Sequence, residues 1–296
     1  MAREFMKFAY HFGAHCTDED RLLKCLFKNR GALGERSINV SGPGRYRAQL
    51  RAAVGELRGE IASDAKQDEL LDDVIIFDNV ERVIFSHSAF LGSAGGAVGL
   101  GRFYPKAGEL AQGYARLFPQ DHCEFFIAVR DPATYFPAIF KQSGEKDFEK
   151  FMMGIEPINM YWSETISRIR RASPGSPLIV WANEDSPVIW HDILNRFAGI
   201  GPDMTLRGSY DFPASLMSED GVQALASRLK TDPPKDAASK RALLADMLDT
   251  YGRPDAMEEE IDLPHWSQDL INALTEAYEE DLERIAKMEG VTFLTP

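Results

Sequence analysis

The stretch Phe8–Arg30, FAYHFGAHCTDEDRLLKCLFKNR, decides how the rest of the chain is read. Lys7 to Phe12 is an apolar, aromatic run that predicts a buried strand, and Gly13 ends it. Leu22, Leu23, Leu26, Phe27 and Leu33 then recur at helical spacing, which gives one apolar face to lay on a sheet. Thr17 predicts the helix cap, with Asp20 three residues on as its capping-box partner. A strand, a glycine turn and a helix start form a natural cradle for phosphate, because free N–H groups and the helix dipole favour an anion. Here that turn carries Asp18, Glu19 and Asp20.

Outward from this unit, apolar strands alternate with helices. ERVIFSHSAF, CEFFIAVRDP and SPLIVWANED predict further buried strands. AGELAQGYARLF, ATYFPAIFKQS, NMYWSETISRIRRA and PVIWHDILNRFAGI predict the helices between them, the last closed by Gly199 and Gly201. Arg45 to Ala65 predicts one basic helix, and DDVIIFDN either a helix end or a strand. LGSAGGAVGLGRFYP reads as a flexible glycine-rich connection. Gly208–Ser218 and TDPPKDAASK read as peripheral, and SQDLINALTEAYEEDLERIAKM as a long closing helix before a short VTFL. The pattern predicts an α/β fold: a three-layer α/β/α sandwich on a mainly parallel sheet, with a helical C-terminal extension. Residues 1–296 read as a single domain whose segment from about 240 to 296 is helical and acidic. Ligands in such sheets sit beyond the carboxyl ends of the strands, which singles out Gly13–Asp20, Ser86–Gly92 and Arg130–Ala138.

Composition narrows the function class. Hydrophobic residues are 44% and charged residues 27% of 296, ordinary for a globular protein. No apolar run approaches the ~20 residues of a membrane span. MAREFMKFAYHFG lacks the features of a signal peptide, so the expected compartment is the cytoplasm. Cys16, Cys25 and Cys123 are odd in number and lack CxxC spacing, which argues for reduced thiols. Net charge is −13, of which Asp255 to Glu289 supplies −10: twelve acids against Arg284 and Lys287. The rest is nearly neutral, so an anionic ligand is allowed, but a nucleic-acid surface would want a basic stripe.

Three segments together resemble the sulfotransferase family, in the bacterial branch whose first strand ends in a motif like HIGAHKTGTTSLQ. The matching stretch is HFGAHCTDEDRLL, His11 to Leu23. VRDPATYFP, with Arg130, Asp131 and Pro132, resembles the family's Arg-Asp-Pro element, and VIFSHSAFLG resembles the strand ending that carries its base. LTEAYEEDLERIAKMEGVTF resembles the family's closing helix, so the resemblance runs in order along nearly the whole chain. It implies a P-loop-like fold and sulfuryl transfer from 3′-phosphoadenosine-5′-phosphosulfate (PAPS) to a hydroxyl or amine. The implied acceptor is a small molecule or a glycan, with no metal and with an oligomer allowed. Gly13, Ala14, His15 and Thr17 would form the donor loop, Arg130 would hold the 3′-phosphate and His87 is the candidate base.

Six positions depart from the family pattern. Cys16 stands where a lysine neutralises the bridging oxygen, and Asp18, Glu19 and Asp20 replace Gly-Thr-Thr. Ala138 stands where a serine also holds the 3′-phosphate, and Ser88 stands at the glutamate position after His87. Two unit charges about 5 Å apart interact by roughly 3 kcal/mol at an effective dielectric of about 20. Three carboxylates facing a phosphosulfate would repel it by several kcal/mol, against about 1.5–3 kcal/mol for each charge-assisted hydrogen bond. The same carboxylates favour the helix start themselves, by about 0.3–1 kcal/mol each. The sequence therefore predicts a degenerate donor site with weak or lost transfer, or a non-catalytic binding or regulatory protein on the same scaffold.

Sharper readings of single motifs are less well supported. His11, His15, Cys16 and the acids have no recognised metal-ligand spacing. SHSAF resembles a nucleophile elbow, but Phe90 occupies a position that needs a small residue. Arg45, Arg47, Arg51 and Arg58 read as a solvated face, with an anionic acceptor as the alternative.

Overall fold

The computed structural model describes residues 5–201, 204–257, 261, 263 and 266–296. Glu258, Glu259, Glu260 and Asp262 of the acidic segment lie outside the described residues.

Its frame is a six-stranded parallel sheet in the order β2-β3-β1-β6-β7-β8. The strands are β1 (Lys7–His11), β2 (Ile38–Val40), β3 (Arg82–Ser86), β6 (His122–Val129), β7 (Leu178–Ala182) and β8 (Val291–Leu294). A separate antiparallel pair joins β4 (Val98–Gly99) to β5 (Arg102–Phe103). Both faces of the large sheet are covered, which is why its strands read as continuous apolar runs rather than alternating ones. Successive residues split between two cores: Phe8 and Tyr10 enter one, Ala9 the other, as do Val83 and Phe85 against Ile84.

On one face lie α1 (Arg21–Lys28), α2 (Arg30–Gly34) and α9 (Ser186–Ala198). The other face carries α3 (Arg47–Leu57), α4 (Asp64–Val74), α5 (Ala107–Leu117), α6 (Pro132–Ser143), α7 (Phe148–Met152), α8 (Trp162–Ala172) and α14 (Gln268–Ala286). This face holds an aromatic cluster in which Phe12 stacks on Phe125 at 4.7 Å and Phe90 meets Tyr114 at 4.7 Å. Each such ring removed from water stabilises the fold by about 1.5–3 kcal/mol before ordering costs. The short α10 (Asp211–Ser215) and α13 (Pro254–Met257) flank α11 (Glu219–Thr231) and α12 (Ala237–Tyr251). Leu225, Leu244 and Met247 of these helices build a third apolar cluster, with Val188 of α9 packed against it.

Several local expectations are corrected. The basic helix does not run from Arg45 to Ala65: it breaks after Leu57, where Arg58 and Gly59 adopt positive φ of 47° and 90°. DDVIIFDN holds the end of α4 at Val74 and no strand. The glycine-rich connection is largely ordered: Val98, Phe103 and Tyr104 are buried, and Phe103 stacks on Trp162 at 4.3 Å. Leu33 belongs not to α1 but to α2, because Asn29 interrupts the helix and donates from Nδ2 to the Cys25 and Arg207 carbonyls. The short VTFL after the closing helix, given no element by the sequence, is strand β8, paired with β7 at the sheet edge.

Candidate functional site

β1 sits inside the sheet between β3 and β6, and its following helix lies on the face opposite α5 and α6. Connections leaving neighbouring strands in opposite directions open a crevice at their carboxyl ends. A cavity of about 620 Å³ occupies that crevice. The loop after β1 contributes Gly13, Ala14, Cys16, Asp18, Glu19 and Asp20, while Ser86 and Ser88 come from the end of β3. Arg130 follows β6, and Ala138, Lys141 and Gln142 come from α6.

The loop is built unlike its sequence reading. Thr17 is not the cap of α1: its hydroxyl turns back and donates to the Ala14 carbonyl at 2.6 Å. Asp20 is not a capping-box partner either, since its carboxylate is held by the Arg47 guanidinium, with Nη1 3.2 Å from Oδ2. The helix start is instead satisfied by Asp18, whose Oδ1 accepts from the Leu22 N–H at 2.8 Å. Cys16, Glu19 and Asp20 adopt left-handed φ of 62°, 51° and 64°. Non-glycine residues there cost of order 1–3 kcal/mol each and persist only where surrounding contacts impose them.

Those contacts are visible. Arg130 donates from Nη1 to the Cys16 carbonyl and from Nε to Thr134 Oγ1 at 3.0 Å. The Cys16 thiol donates to Gln142 Oε1 at 2.9 Å. Arg47 also donates from Nε to the Ser86 carbonyl at 2.9 Å, which joins the loop to the end of β3. Glu19 pairs with Arg21 at 3.0 Å on the surface. Each of the three carboxylates thus has a partner within the protein, so they act on a ligand less strongly than three bare charges would. Burial pushes the Asp18 carboxyl up to about 6, against the Leu22 N–H that favours the anion.

The three histidines differ. His11 is fully buried, stacked 5.9 Å from Trp181, with Nδ1 2.9 Å from Ser86 Oγ; burial lowers it to about 3. It borders the cavity, and its Nε2 has no hydrogen-bond partner among the described residues. His15 faces Tyr104, whose hydroxyl lies 2.8 Å from both its backbone nitrogen and its Nδ1. Tyr135 donates to the same hydroxyl at 3.0 Å. With one proton to give, Tyr104 donates to Nδ1, so His15 carries its proton on Nε2. Burial lowers His15 to about 4, and that neutral form fits the arrangement.

His87 lies beside the cavity, between two residues that line it, and its ring meets Phe90 edge-on at 5.4 Å. Burial, then Arg47 and Arg51, lower it to about 4, so at neutral pH it is an uncharged proton acceptor of low basicity. Of the residues singled out in the sequence, Gly13, Ala14, Cys16 and Arg130 meet in the cavity. His15, Thr17 and His87 brace or flank it. Sequence reasoning missed Lys141, Gln142, Tyr104 and the pairing of Arg47 with Asp20. Lys141 had a readable signal, since it follows Ala138 by three residues and so shares its helix face.

No helix among the described residues is long and apolar enough to cross a membrane. The chain matches no protein-family model, no curated protein and no solved structure.

Proposed function

We propose that the chain is a sulfotransferase-like scaffold whose donor loop has lost its hold on phosphosulfate, leaving a small-molecule binding cavity with little or no sulfuryl transfer. The carrying observation is the Asp18 bond to the Leu22 N–H, by which the protein fills with its own carboxylate the helix start that a phosphosulfate would need. Cys16 adds no charge, and its thiol is engaged by Gln142. Arg130, the retained nucleotide-binding position, spends one N–H on the Cys16 carbonyl and so holds the loop in its closed shape.

This favours the non-catalytic form of the reading over a working transferase. The internal pairing of Asp18, Glu19 and Asp20 shifts its cause, however, from bulk repulsion to an occupied helix start and a missing lysine. Should residual transfer exist, His87 is the group that would take the proton of a hydroxyl or amine acceptor. The test is a sulfuryl-transfer assay with PAPS on the native chain and on a variant carrying Cys16→Lys, Asp18→Gly, Glu19→Thr and Asp20→Thr. Little or no transfer by the native chain with a clear gain in the variant supports the reading. Efficient native turnover contradicts it.

A further inference from the structure

The charges lining the cavity are not equivalent once their partners are counted. Asp18 is held by a backbone N–H, Glu19 by Arg21 and Asp20 by Arg47. The Arg130 guanidinium is anchored to the loop carbonyl and Thr134. Lys141 lies on the last turn of α6, exposed, with no hydrogen bond or ion pair among the described residues. It is one helical turn beyond Ala138, about 4.5 Å along the axis, and both line the cavity. Ala138 presents only a methyl group to the cavity. At the end of β1, the fully buried His11 leaves Nε2 unpartnered at the same cavity.

We infer that Lys141 is the anion anchor of this cavity, taking the tetrahedral oxyanion of a phosphate or sulfate ester at the α6 wall rather than at the β1 loop. A lysine suits this role as a compact, mobile charge that reaches an oxyanion without a fixed fork geometry. Arg130 reinforces the positive field from the β6 end while keeping the loop closed. The competing role for Lys141 is complementing the carboxyl end of the α6 dipole, which is weak at an exposed site and blind to ligands. The inference rests on the cavity being the functional site, as proposed above, but requires neither PAPS chemistry nor an adenine.

Calorimetric titrations with phenyl phosphate, phenyl sulfate and adenosine 3′,5′-bisphosphate test it on native protein, Lys141→Ala, Lys141→Arg and the control Lys150→Ala on α7. The expected result is salt-sensitive binding of at least one simple ester, weakened about tenfold or more by Lys141→Ala, largely kept by Lys141→Arg and unchanged by the control. The two ester arms tell which oxyanion is preferred. Ester binding that depends on Lys141, with no tight nucleotide binding, supports this anchor and agrees with the lost donor hold proposed above. Ester binding that ignores Lys141→Ala overturns the anchor, whereas micromolar nucleotide binding contradicts the lost donor hold alone. No ester binding by the native chain overturns the anchor outright. Unchanged melting temperatures in both Lys141 variants establish that any loss is of binding and not of folding.

Discussion

At the β6–α6 junction Asp131 caps its own helix, with Oδ1 accepting the Ala133 N–H at 2.8 Å and Pro132 at the first helical position. Its other oxygen accepts from Thr275 Oγ1 at 2.7 Å, tying α14 to the strand end. At the β1–α1 junction the cap comes from Asp18, two residues before the helix flank, across a turn holding two left-handed non-glycine residues. That turn is fixed by Arg47, Arg130 and Gln142, which approach from α3, the end of β6 and α6. The first junction follows local rules, a cap followed by proline. The second is imposed from a distance, and its strain is held by tertiary contacts. A loop so held is already closed on itself, which is the physical content of the proposed loss of donor binding.

Removing the locally built cap carries the largest expected effect. Asp131→Ala loses about 1 kcal/mol of capping and orphans the Thr275 hydroxyl, for roughly 2–3 kcal/mol in all, read as a lower urea midpoint. Asp131→Asn keeps most of the cap and loses less. If Asp131→Ala costs under about 0.5 kcal/mol, the β6–α6 junction is not locally determined and the contrast collapses.

The second prediction concerns coupling. A double-mutant cycle of Asp20→Asn and Arg47→Met should give about 1–2 kcal/mol, because the pair is half-buried and bidentate. Strictly additive effects would mean that the left-handed turn is held by something else. Arg47→Met alone also leaves a lone carboxylate facing the cavity and should weaken any anion bound there.

The last effect is read as a change with pH and sits at Asp18. Its folded carboxyl is raised to about 6 from an ordinary 3.8, so its stabilising contribution is complete below about pH 4 and is lost as pH rises through 6. Asp18→Asn keeps a capping oxygen without the charge. Its melting temperature relative to native protein should therefore rise between pH 4 and 6 and level off above. A flat difference across that range would show that Asp18 is not desolvated.

The same contrast explains what the sequence revealed. β1, β3, β6 and β7 were legible because burial on both faces demands unbroken apolar runs. The helix ATYFPAIFKQS was legible, though its cap at Asp131 and first residue Pro132 were read only as the end of the strand. β2 was not, since Ile38-Asn39-Val40 is too short to show a period. Nor was the break after Leu57, where a continuous basic pattern hides a turn made by Arg58 and Gly59. The burial of Phe103 and Tyr104 inside a glycine-rich stretch depends on Trp162 and Tyr135, distant in the chain. In the site, the three acids were visible but their partners were not. Only the fold brings Arg47 to Asp20, and without that pairing the loop reads as more repulsive than it is.

The most direct measurement follows the backbone amide signals of residues 18 to 22 by NMR while PAPS is added. The predicted result is that the Leu22 amide, bonded to Asp18, stays unmoved up to millimolar donor, even if signals near Lys141 shift. A saturable shift of the Leu22 amide at micromolar PAPS would mean that the donor displaces the carboxylate and that the loop is a working phosphosulfate site.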